Sequence, residues 1–281
     1  MKNGYLVTGG SGFLGRELIK RLSSEIRVLA RNEGQLVKLK EEYPHVEIMV
    51  GDVADPYVCD RAMQGIVGVF HLAAMKHVGL AEENVRQTVQ SNIPIALLEA
   101  TRKYKPEFIV GISTDKAASR KGVYGTTKFL MERLFDEYQQ LNPDTKYRIV
   151  RYGNVIYSTG SVLCKWKEKL EQAYNITITD LDATRFFWTV EQAVDLIFEC
   201  LEKGTDSKPY ATSMKSIRMG DLMEAMIKKY WPANISDEYL KTVYKVTGLQ
   251  PGENMHEIIT EDGPDSSQVE KFTREEILKM I

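Results

Sequence analysis

A glycine-rich turn near the start of the chain limits the possible folds more than any other feature of the sequence. Residues 5–8 (YLVT) form a short apolar run typical of a buried strand, and residues 16–22 (RELIKRL) have the spacing of an amphipathic helix. Between them, residues 9–15 read GGSGFLG, with a glycine at every third position. A strand, a glycine loop and a helix in this order favour a parallel α/β fold whose first turn binds phosphate groups.

The three regularly spaced glycines each have a physical role in such a turn. Gly9 permits a tight turn, Gly12 lets the backbone approach a pyrophosphate, and Gly15 allows the helix to pack closely on the strand. The free N–H groups and the positive dipole end of the helix would hold the phosphates. The spacing is G-x-x-G-x-x-G instead of the ordinary G-x-G-x-x-G fingerprint, and its place between a strand and a helix predicts a dinucleotide-binding site.

The end of the second predicted strand, residues 27–30, bears on which dinucleotide binds. Arg31 follows it, and an arginine at this point accommodates a ribose 2′-phosphate. The sequence therefore favours NADP over NAD. Glu33 could still turn inward and bind a 2′-hydroxyl, which would favour NAD.

The ends of the third and fourth predicted strands are expected to line the same cleft. Residues 46–50 are followed by Asp52, which could bind the adenine amino group or, with Asp55, cap a helix around residues 57–63. The fourth strand, residues 68–74, ends in two alanines that would let a cofactor lie close over the sheet. Beyond it, Lys76 could meet a phosphate or a substrate hydroxyl, or stay solvated, and His77 could bind substrate or be structural.

A polar segment, residues 113–128 (STDKAASRKGVYGTTK), follows the fifth predicted strand at residues 108–112. Open parallel sheets bind their ligands at the carboxyl ends of the strands, where the first four side chains of this segment are expected. Tyr124 and Lys128 would lie one turn apart on one helix face, with Asn92 of another helix facing back as an anchor for water or backbone. A phenol beside an ammonium is a plausible acid–base pair, because the positive charge favours phenolate and lowers the tyrosine pKa.

Strands and helices alternate through the first half of the chain, up to a sixth strand at residues 147–155. This predicts the α/β class, with a doubly wound parallel sheet of the Rossmann type. The alternation then weakens, which predicts a smaller C-terminal α+β lobe. The expected domains, interleaved along the chain, are a dinucleotide-binding domain at residues 1–155 together with 188–212 and a substrate-binding lobe at residues 156–281.

Composition excludes several classes of protein. With 43% hydrophobic and 27% charged residues the chain is an ordinary globular protein, and its net charge of -2 gives no support for nucleic-acid binding. No apolar run approaches the roughly 20 residues of a membrane helix, and the first strand begins too early to leave room for a signal peptide. The three cysteines are widely spaced and show no metal-ligand pattern. The sequence predicts a cytoplasmic protein with reduced thiols and no metal site.

Together, the glycine loop, the Tyr124-x-x-x-Lys128 pair and the alternating strands resemble the extended short-chain dehydrogenase/reductase superfamily. More narrowly, the chain resembles the configuration-inverting UDP-N-acetylglucosamine 4,6-dehydratases of nucleotide-sugar biosynthesis, and the similarity covers nearly its whole length. The segments that carry this resemblance are residues 73–78 (AAMKHV), 113–117 (STDKA), 151–155 (RYGNV), 184–186 (TRF) and 251–253 (PGE).

The resemblance implies a redox-neutral dehydration of a nucleotide sugar, with NADP recycled inside the site. Tyr124, activated by Lys128, would remove the proton of the C4 hydroxyl, and Thr114 would hydrogen-bond the C4 oxygen. Lys116 would act as the base at C5 and Asp115 as the acid that assists loss of the C6 hydroxyl. Those roles require a neutral Lys116 and an Asp115 of raised pKa.

The resemblance also implies the binding residues and a homo-oligomer. The cofactor contacts would come from Gly9, Ser11, Gly12, Phe13, Leu14, Gly15, Arg31, Asp52, Val53, Ala73, Ala74, Lys76, Tyr124 and Lys128. The substrate contacts would come from Lys76, His77, Asn154, Arg185 and Glu253.

The chain departs from the family pattern where the nucleotide diphosphate is expected. Gln250 and Asn254 stand where the family usually has an arginine and a lysine, and residues 157–161 read YSTGS where it commonly has GSRGS. The cations that could compensate are Arg185, Lys165 and Lys215. Three other functions stay open: an epimerase or a 4-keto reductase on the same scaffold, and a non-catalytic NADP-binding regulator.

Overall fold

The computed structural model describes residues 4–233 and 235–281. The strands in these ranges are β1 Gly4–Thr8, β2 Glu25–Ala30, β3 Glu47–Val50, β4 Ile66–His71, β5 Phe108–Thr114, β6 Lys146–Tyr152, β7 Asn154–Val155, β8 Ile176–Ile178, β9 Thr184–Trp188, β10 Pro209–Tyr210, β11 Ser216–Arg218 and β12 Tyr244–Val246. The helices are α1 Phe13–Arg21, α2 Glu33–Glu42, α3 Pro56–Ala62, α4 Val78–Glu83, α5 Val85–Asn92, α6 Ile95–Tyr104, α7 Asp115–Ser119, α8 Gly122–Leu141, α9 Val162–Glu171, α10 Val190–Lys203, α11 Met219–Tyr230, α12 Asp237–Leu240 and α13 Arg274–Met280.

The largest element is a seven-stranded sheet with the strand order β10-β6-β5-β4-β1-β2-β3. Every neighbouring pair in this sheet is parallel. The strand order reverses at β1, which pairs with β2 on one side and with β4 on the other. This confirms the predicted doubly wound α/β fold, and a ligand cleft is expected at the carboxyl ends of these strands.

Consecutive residues of the central strands point to opposite faces of the sheet, and apolar clusters bury both faces. In β1, Leu6 packs in the core cluster with Leu97 and Met131, whereas Val7 packs in the other cluster with Leu18 and helix α10. Each such buried aliphatic side chain contributes about 1.5–3 kcal/mol. This two-sided core holds the carboxyl ends of the strands at one edge of the sheet.

A smaller set of strands lies beyond β6. Strands β11, β9 and β7 form a three-stranded sheet, and β12 pairs with β8. Helices α9, α11 and α13 cover a third apolar cluster around Trp166 and Met226. Residues 190–210 return to the large sheet, since α10 packs on α1 and β10 pairs with β6. The functional division into two domains stays a prediction.

Two predicted strands end earlier than expected. The sixth strand, expected to reach Val155, stops at Tyr152, and the chain crosses to another sheet at Gly153. A Cβ at Gly153 would lie 2.5 Å from the Cβ of Phe186, so glycine permits this crossing. The fourth strand ends at His71 instead of Ala74, and the two alanines lie in the loop that follows. Within the described ranges, no helix has both the length and the apolar character to cross a bilayer.

Candidate active site

The candidate site lies where β1, β4 and β5 end side by side. Thr8 is the register partner of His71, and His71 that of Gly111, so the carboxyl ends of the three parallel strands point to the same edge of the sheet, with β5 continuing to Thr114. His71 is fully buried, with Nδ1 2.8 Å from Thr8 Oγ1, and burial together with the charge of Lys128 lowers its pKa to about 3. A neutral histidine thus supports the floor of the site, a role that sequence patterns did not indicate.

The glycine loop has the features that a dinucleotide phosphate requires. Gly9 has a φ of +69°, and a Cβ there would lie 2.8 Å from the backbone nitrogen of Ala73. A Cβ at Gly15 would lie 2.4 Å from the carbonyl oxygen of Gly10, so only glycine lets α1 approach the loop. The first turn of α1, with Gly12 as its N-cap, has no side-chain cap and no acidic residue. Its N–H groups and dipole therefore fit the diphosphate of a dinucleotide.

The residues expected near the adenosine end lie close to one another. Arg31 Nη1 is 3.5 Å from Asp52 Oδ2 and 3.3 Å from Ser91 Oγ. Asp55 caps α3, accepting hydrogen bonds from the N–H groups of Tyr57 and Val58, so the helix-cap role belongs to Asp55. Asp52 instead lies beside Arg31 at the ends of β3 and β2.

Strand β5 ends directly in the turn that carries Thr114, Asp115 and Lys116. Thr114 Oγ1 donates a hydrogen bond of 2.7 Å to Asp115 Oδ1, which also accepts from Lys116 N at 2.9 Å and from Lys116 Nζ at 3.1 Å. Asp115 is fully buried, and its Oδ2 has no hydrogen-bond partner among the described residues. The turn thus holds a buried carboxylate and a partly buried ammonium as an ion pair.

Helix α8 brings Tyr124 to this turn. It begins at Gly122, with a φ of +71°, just after the short helix α7. A Cβ at Gly125 would lie 2.4 Å from the carbonyl oxygen of Lys116, so glycine lets the two helices touch. Tyr124 is half-buried, and the charges of Lys116 and Asp115 and a hydrogen bond with Thr114 act on its hydroxyl. The site residues predicted after β5 are thus brought together.

The acid–base behaviour of Tyr124 and Lys128 differs from the expectation. Burial raises the pKa of Tyr124 to about 12, and the interactions that lower it come from Lys116 and Thr114. Lys128 Nζ donates to the carbonyl oxygen of Ile112 at 2.7 Å. The predicted lowering of the tyrosine pKa by Lys128 is therefore wrong for this structure. Burial lowers the pKa of Lys128 itself to about 8.

Lys116 is a cation in this structure. Burial lowers the pKa of Lys116, but the charges of Asp115 and Glu257 outweigh it and bring the pKa above its ordinary value. Lys116 Nζ lies 3.1 Å from Asp115 Oδ1 and 3.5 Å from Glu257 Oε1. Glu257 is fully buried, and the sequence contains no pattern that singles it out.

The residues predicted to bind substrate have different surroundings. Arg185 and Glu253 bind each other, with Arg185 Nη2 2.9 Å from Glu253 Oε1. Asn154 is half-buried at the start of β7. His77 packs against Gly160, where a Cβ would lie 2.5 Å from the histidine ring, and Lys76 is exposed beside it.

Asn92 is a structural anchor for the loop after β4. Its Oδ1 accepts from Met75 N at 2.7 Å, and its Nδ2 donates to Met75 O and Thr127 Oγ1 at 3.0 Å each. The side chain is fully buried. Of the two predicted roles for Asn92, the structure thus shows the backbone anchor.

Comparison with known proteins identifies related chains. An uncharacterized membrane protein of Methanocaldococcus jannaschii is 35% identical over 90% of this chain and 78% of its own length. A UDP-N-acetylglucosamine 4,6-dehydratase (inverting) of Campylobacter jejuni is 30% identical over 92% of this chain and 77% of its own length. A UDP-glucose 4-epimerase of Rickettsia bellii is 32% identical over 71% of this chain and 62% of its own length.

Among solved structures, Pen from Bacillus thuringiensis matches with a TM-score of 0.90 and 28% identity, covering 99% of this chain and 96% of that one. The family profile described as polysaccharide biosynthesis protein matches residues 5–278. The family resemblance predicted from the sequence is therefore confirmed. The chain belongs to the polysaccharide biosynthesis protein family and has the extended short-chain dehydrogenase/reductase fold.

Proposed function

We propose that this protein is an NADP-dependent sugar-nucleotide 4,6-dehydratase that acts on UDP-N-acetylglucosamine and inverts C5. The observation that carries the proposal is the ion pair of buried Asp115 with partly buried Lys116 beside Tyr124. Removing a proton from one hydroxyl needs only a group such as Tyr124, whereas dehydration needs a further base at C5 and an acid at C6. The named function of the Campylobacter jejuni relative supports the same reaction.

The glycine loop and the N-terminus of α1 would hold the cofactor diphosphate. Arg31, exposed at the end of β2, would bind a 2′-phosphate and thereby select NADP. When bound, the dinucleotide supplies a hydride acceptor for C4 and a hydride donor for C6. The chain's own residues would have to move the protons and hold the sugar.

Tyr124 would take the proton of the C4 hydroxyl, with Thr114 hydrogen-bonded to the same oxygen. Because burial raises the pKa of Tyr124 to about 12, phenolate forms readily only if positive charge lies close to it when the site is filled. Lys116 already lowers this pKa in the present geometry, and Lys128 lies one turn along the same helix.

Asp115, after taking up a proton from solvent, would deliver that proton to the leaving C6 hydroxyl, and Lys116 would accept the C5 proton. In the structure Lys116 is the cation of an ion pair, so it must release one proton before it can accept another. Asp115 Oδ2 has no hydrogen-bond partner among residues 4–233 and 235–281, and because it is buried the turn would have to open for a substrate hydroxyl to reach it.

The nucleotide diphosphate needs cations that are free to reach it. Of the three candidates, Arg185 binds Glu253, and Lys215 binds Glu270 at 2.6 Å and Glu276 at 2.9 Å. Lys165 is exposed in the first turn of α9, and its charge acts on His77. We therefore assign the diphosphate to Lys165, with Lys76 beside His77 as the second cation.

The UDP-glucose 4-epimerase relative supports a second candidate, a 4-epimerase. Incubation with UDP-N-acetylglucosamine and no added reductant tests both. The dehydratase yields a 6-deoxy-4-keto sugar nucleotide that is lighter than the substrate by one water (about 18 Da). In that enzyme, Tyr124→Phe should lower the rate by about 10²–10⁴-fold. A product of unchanged mass and inverted C4 would establish the epimerase instead. A 4-keto reductase would leave UDP-N-acetylglucosamine unchanged in this incubation and would consume one NADPH per product only when given a 4-keto sugar nucleotide.

A further inference from the structure

Glu257 is held in a fixed position beside the candidate site. Its N–H donates to Ser266 Oγ at 2.9 Å, and its carbonyl oxygen accepts from Ser266 N at 2.8 Å. Ser266 Oγ in turn lies 2.6 Å from Thr184 Oγ1 of β9. The backbone N–H and carbonyl groups of Glu257 are therefore both hydrogen-bonded to Ser266, which is itself hydrogen-bonded to the buried strand β9.

One oxygen of this carboxylate lacks a hydrogen bond. Oε2 accepts from Asn254 Nδ2 at 2.9 Å, whereas Oε1 has no hydrogen-bond partner in residues 4–233 and 235–281. A buried carboxylate oxygen without a donor costs free energy, so such an atom needs a specific explanation.

The charged groups that face Glu257 are Lys116, Arg185 and Asp115. Lys116 Nζ lies 3.5 Å and Arg185 Nε 3.8 Å from Oε1. Burial and the charge of Asp115 raise the pKa of Glu257, and the two cations lower it; the pKa remains above its ordinary value. Glu257 is therefore the carboxylate in this cluster that is prepared to accept a proton.

Asp115 is poorly suited to take the proton from Lys116. Its Oδ1, the oxygen nearest Lys116 Nζ, also accepts hydrogen bonds from Thr114 Oγ1 and Lys116 N, and both favour the ionised carboxylate. Glu257 Oε1 accepts none and is 3.5 Å from the same nitrogen. A shift of less than about 1 Å would bring these two atoms to hydrogen-bond distance.

We propose that Glu257 is a positioning residue that takes one proton from Lys116 and thereby makes Lys116 the base for C5, an inference that rests on the proposed function. The N–H bond of the Lys116 ammonium breaks, and an O–H bond forms at Glu257 Oε1. The ion pair becomes a neutral pair, the orphaned oxygen gains a hydrogen, and the freed lone pair of Lys116 accepts the C5 proton. Solvent then protonates C5 on the opposite face and Glu257 releases its proton to solvent, which restores the Lys116–Glu257 ion pair.

The test compares Glu257→Gln with the parent in single turnovers of UDP-N-acetylglucosamine in heavy water. Ultraviolet absorbance of reduced nicotinamide reports oxidation at C4, and deuterium found at C5 by mass spectrometry reports proton removal there. We expect Glu257→Gln to keep the first signal within about twofold and to lose the second by about 10²-fold at neutral pH. The loss should become smaller as pH rises. In Glu257→Gln, Lys116 faces one carboxylate fewer, so hydroxide can remove its proton at high pH.

Glu261→Gln is the matched control, since Glu261 lies in the same segment and pairs with Arg151 at 3.2 Å. It should leave both signals unchanged. Glu257→Asp keeps a carboxylic acid at the site, so its C5 exchange should depend on pH as in the parent. This variant tests the proposal if Glu257→Gln does not fold. Normal C5 exchange in Glu257→Gln at neutral pH, or parallel loss of both signals in either folded variant, would overturn the proposal. Absence of both signals in the parent would instead refute the proposed function itself.

Discussion

Arg151 and Glu132 form a two-pronged ion pair behind the candidate site. Arg151 Nη2 lies 2.6 Å from Glu132 Oε2, and Arg151 Nε lies 3.0 Å from Glu132 Oε1, with side chains only 1% and 5% exposed. Ser113 Oγ donates to the same carboxylate. Because these residues come from β6, α8 and β5, the pair connects the strand that ends at Thr114 to the helix that carries Tyr124.

Replacing Arg151 with methionine should lower the free energy of unfolding by about 3–5 kcal/mol, because it leaves Glu132 as a buried charge without its partner. The control is Arg133→Met, since Arg133 is 65% exposed and lies 3.9 Å from Asp136. That change should cost no more than about 1 kcal/mol. Urea unfolding measures both, and equal effects would contradict this account of the pair.

A methyl group at Gly15 should destabilise the protein and weaken dinucleotide binding. The added Cβ would lie 2.4 Å from Gly10 O, so α1 must move away from the phosphate loop. We expect a loss of about 1–3 kcal/mol. Gly34→Ala in α2 is the matched control, because its nearest atom is Asn32 Oδ1 at 3.6 Å, and it should stabilise by about 0.4–1 kcal/mol. Thermal unfolding with and without NADP measures the stability and the dinucleotide binding of the Gly15 variant and of Gly34→Ala.

His71 should make the protein sensitive to acid. Its pKa is about 3 in the folded protein and 6.5 in the unfolded chain, so only the unfolded chain takes up a proton as pH falls below 6.5. Stability contributed by His71 is thus present above pH 6.5 and is lost as pH falls towards 3. At about pH 5 the loss is about 2 kcal/mol.

Urea unfolding at about pH 7 and about pH 5 measures this effect. Between these two pH values, the free energy of unfolding of His71→Gln should fall by about 2 kcal/mol less than that of the parent. His45→Gln, which changes an exposed histidine, should behave like the parent. An identical pH dependence in parent and His71→Gln would show that His71 does not contribute it.

Arg31→Gln should reduce discrimination between the two dinucleotides. If Arg31 binds the 2′-phosphate, its loss weakens NADP binding by about tenfold and leaves NAD binding nearly unchanged, as expected for one charge-assisted hydrogen bond at an exposed position. Calorimetric titration of both dinucleotides measures the effect. Equal losses for both, or tighter binding of NAD by the parent, would refute the assignment of NADP.

Lys165→Met should raise the KM for the nucleotide sugar by about tenfold, which corresponds to about 1.4 kcal/mol of lost diphosphate binding, with little change in kcat. Lys215→Met is the control, since Lys215 already binds Glu270 and Glu276. Its KM should match that of the parent. If Lys215→Met raises KM and Lys165→Met does not, the diphosphate lies elsewhere.

The local sequence pattern was sufficient to predict the fold and those candidate residues that lie close together in the sequence. A strand, a glycine loop and a helix can pack in few ways, and Thr114, Asp115 and Lys116 follow β5 directly. Their common location at the strand ends therefore depends on short stretches of chain whose geometry is restricted by sterics.

Only the tertiary structure decided which charged groups are paired and in which direction their pKa values shift. Glu257 reaches Lys116 across more than a hundred residues of sequence, and Arg185 is already bound to Glu253. The pKa of Tyr124 rises because of burial, which no i, i+4 spacing reveals. The physical reason is that desolvation and charge pairing depend on distances between segments far apart in the chain, whereas strand and helix periodicity depends on neighbours.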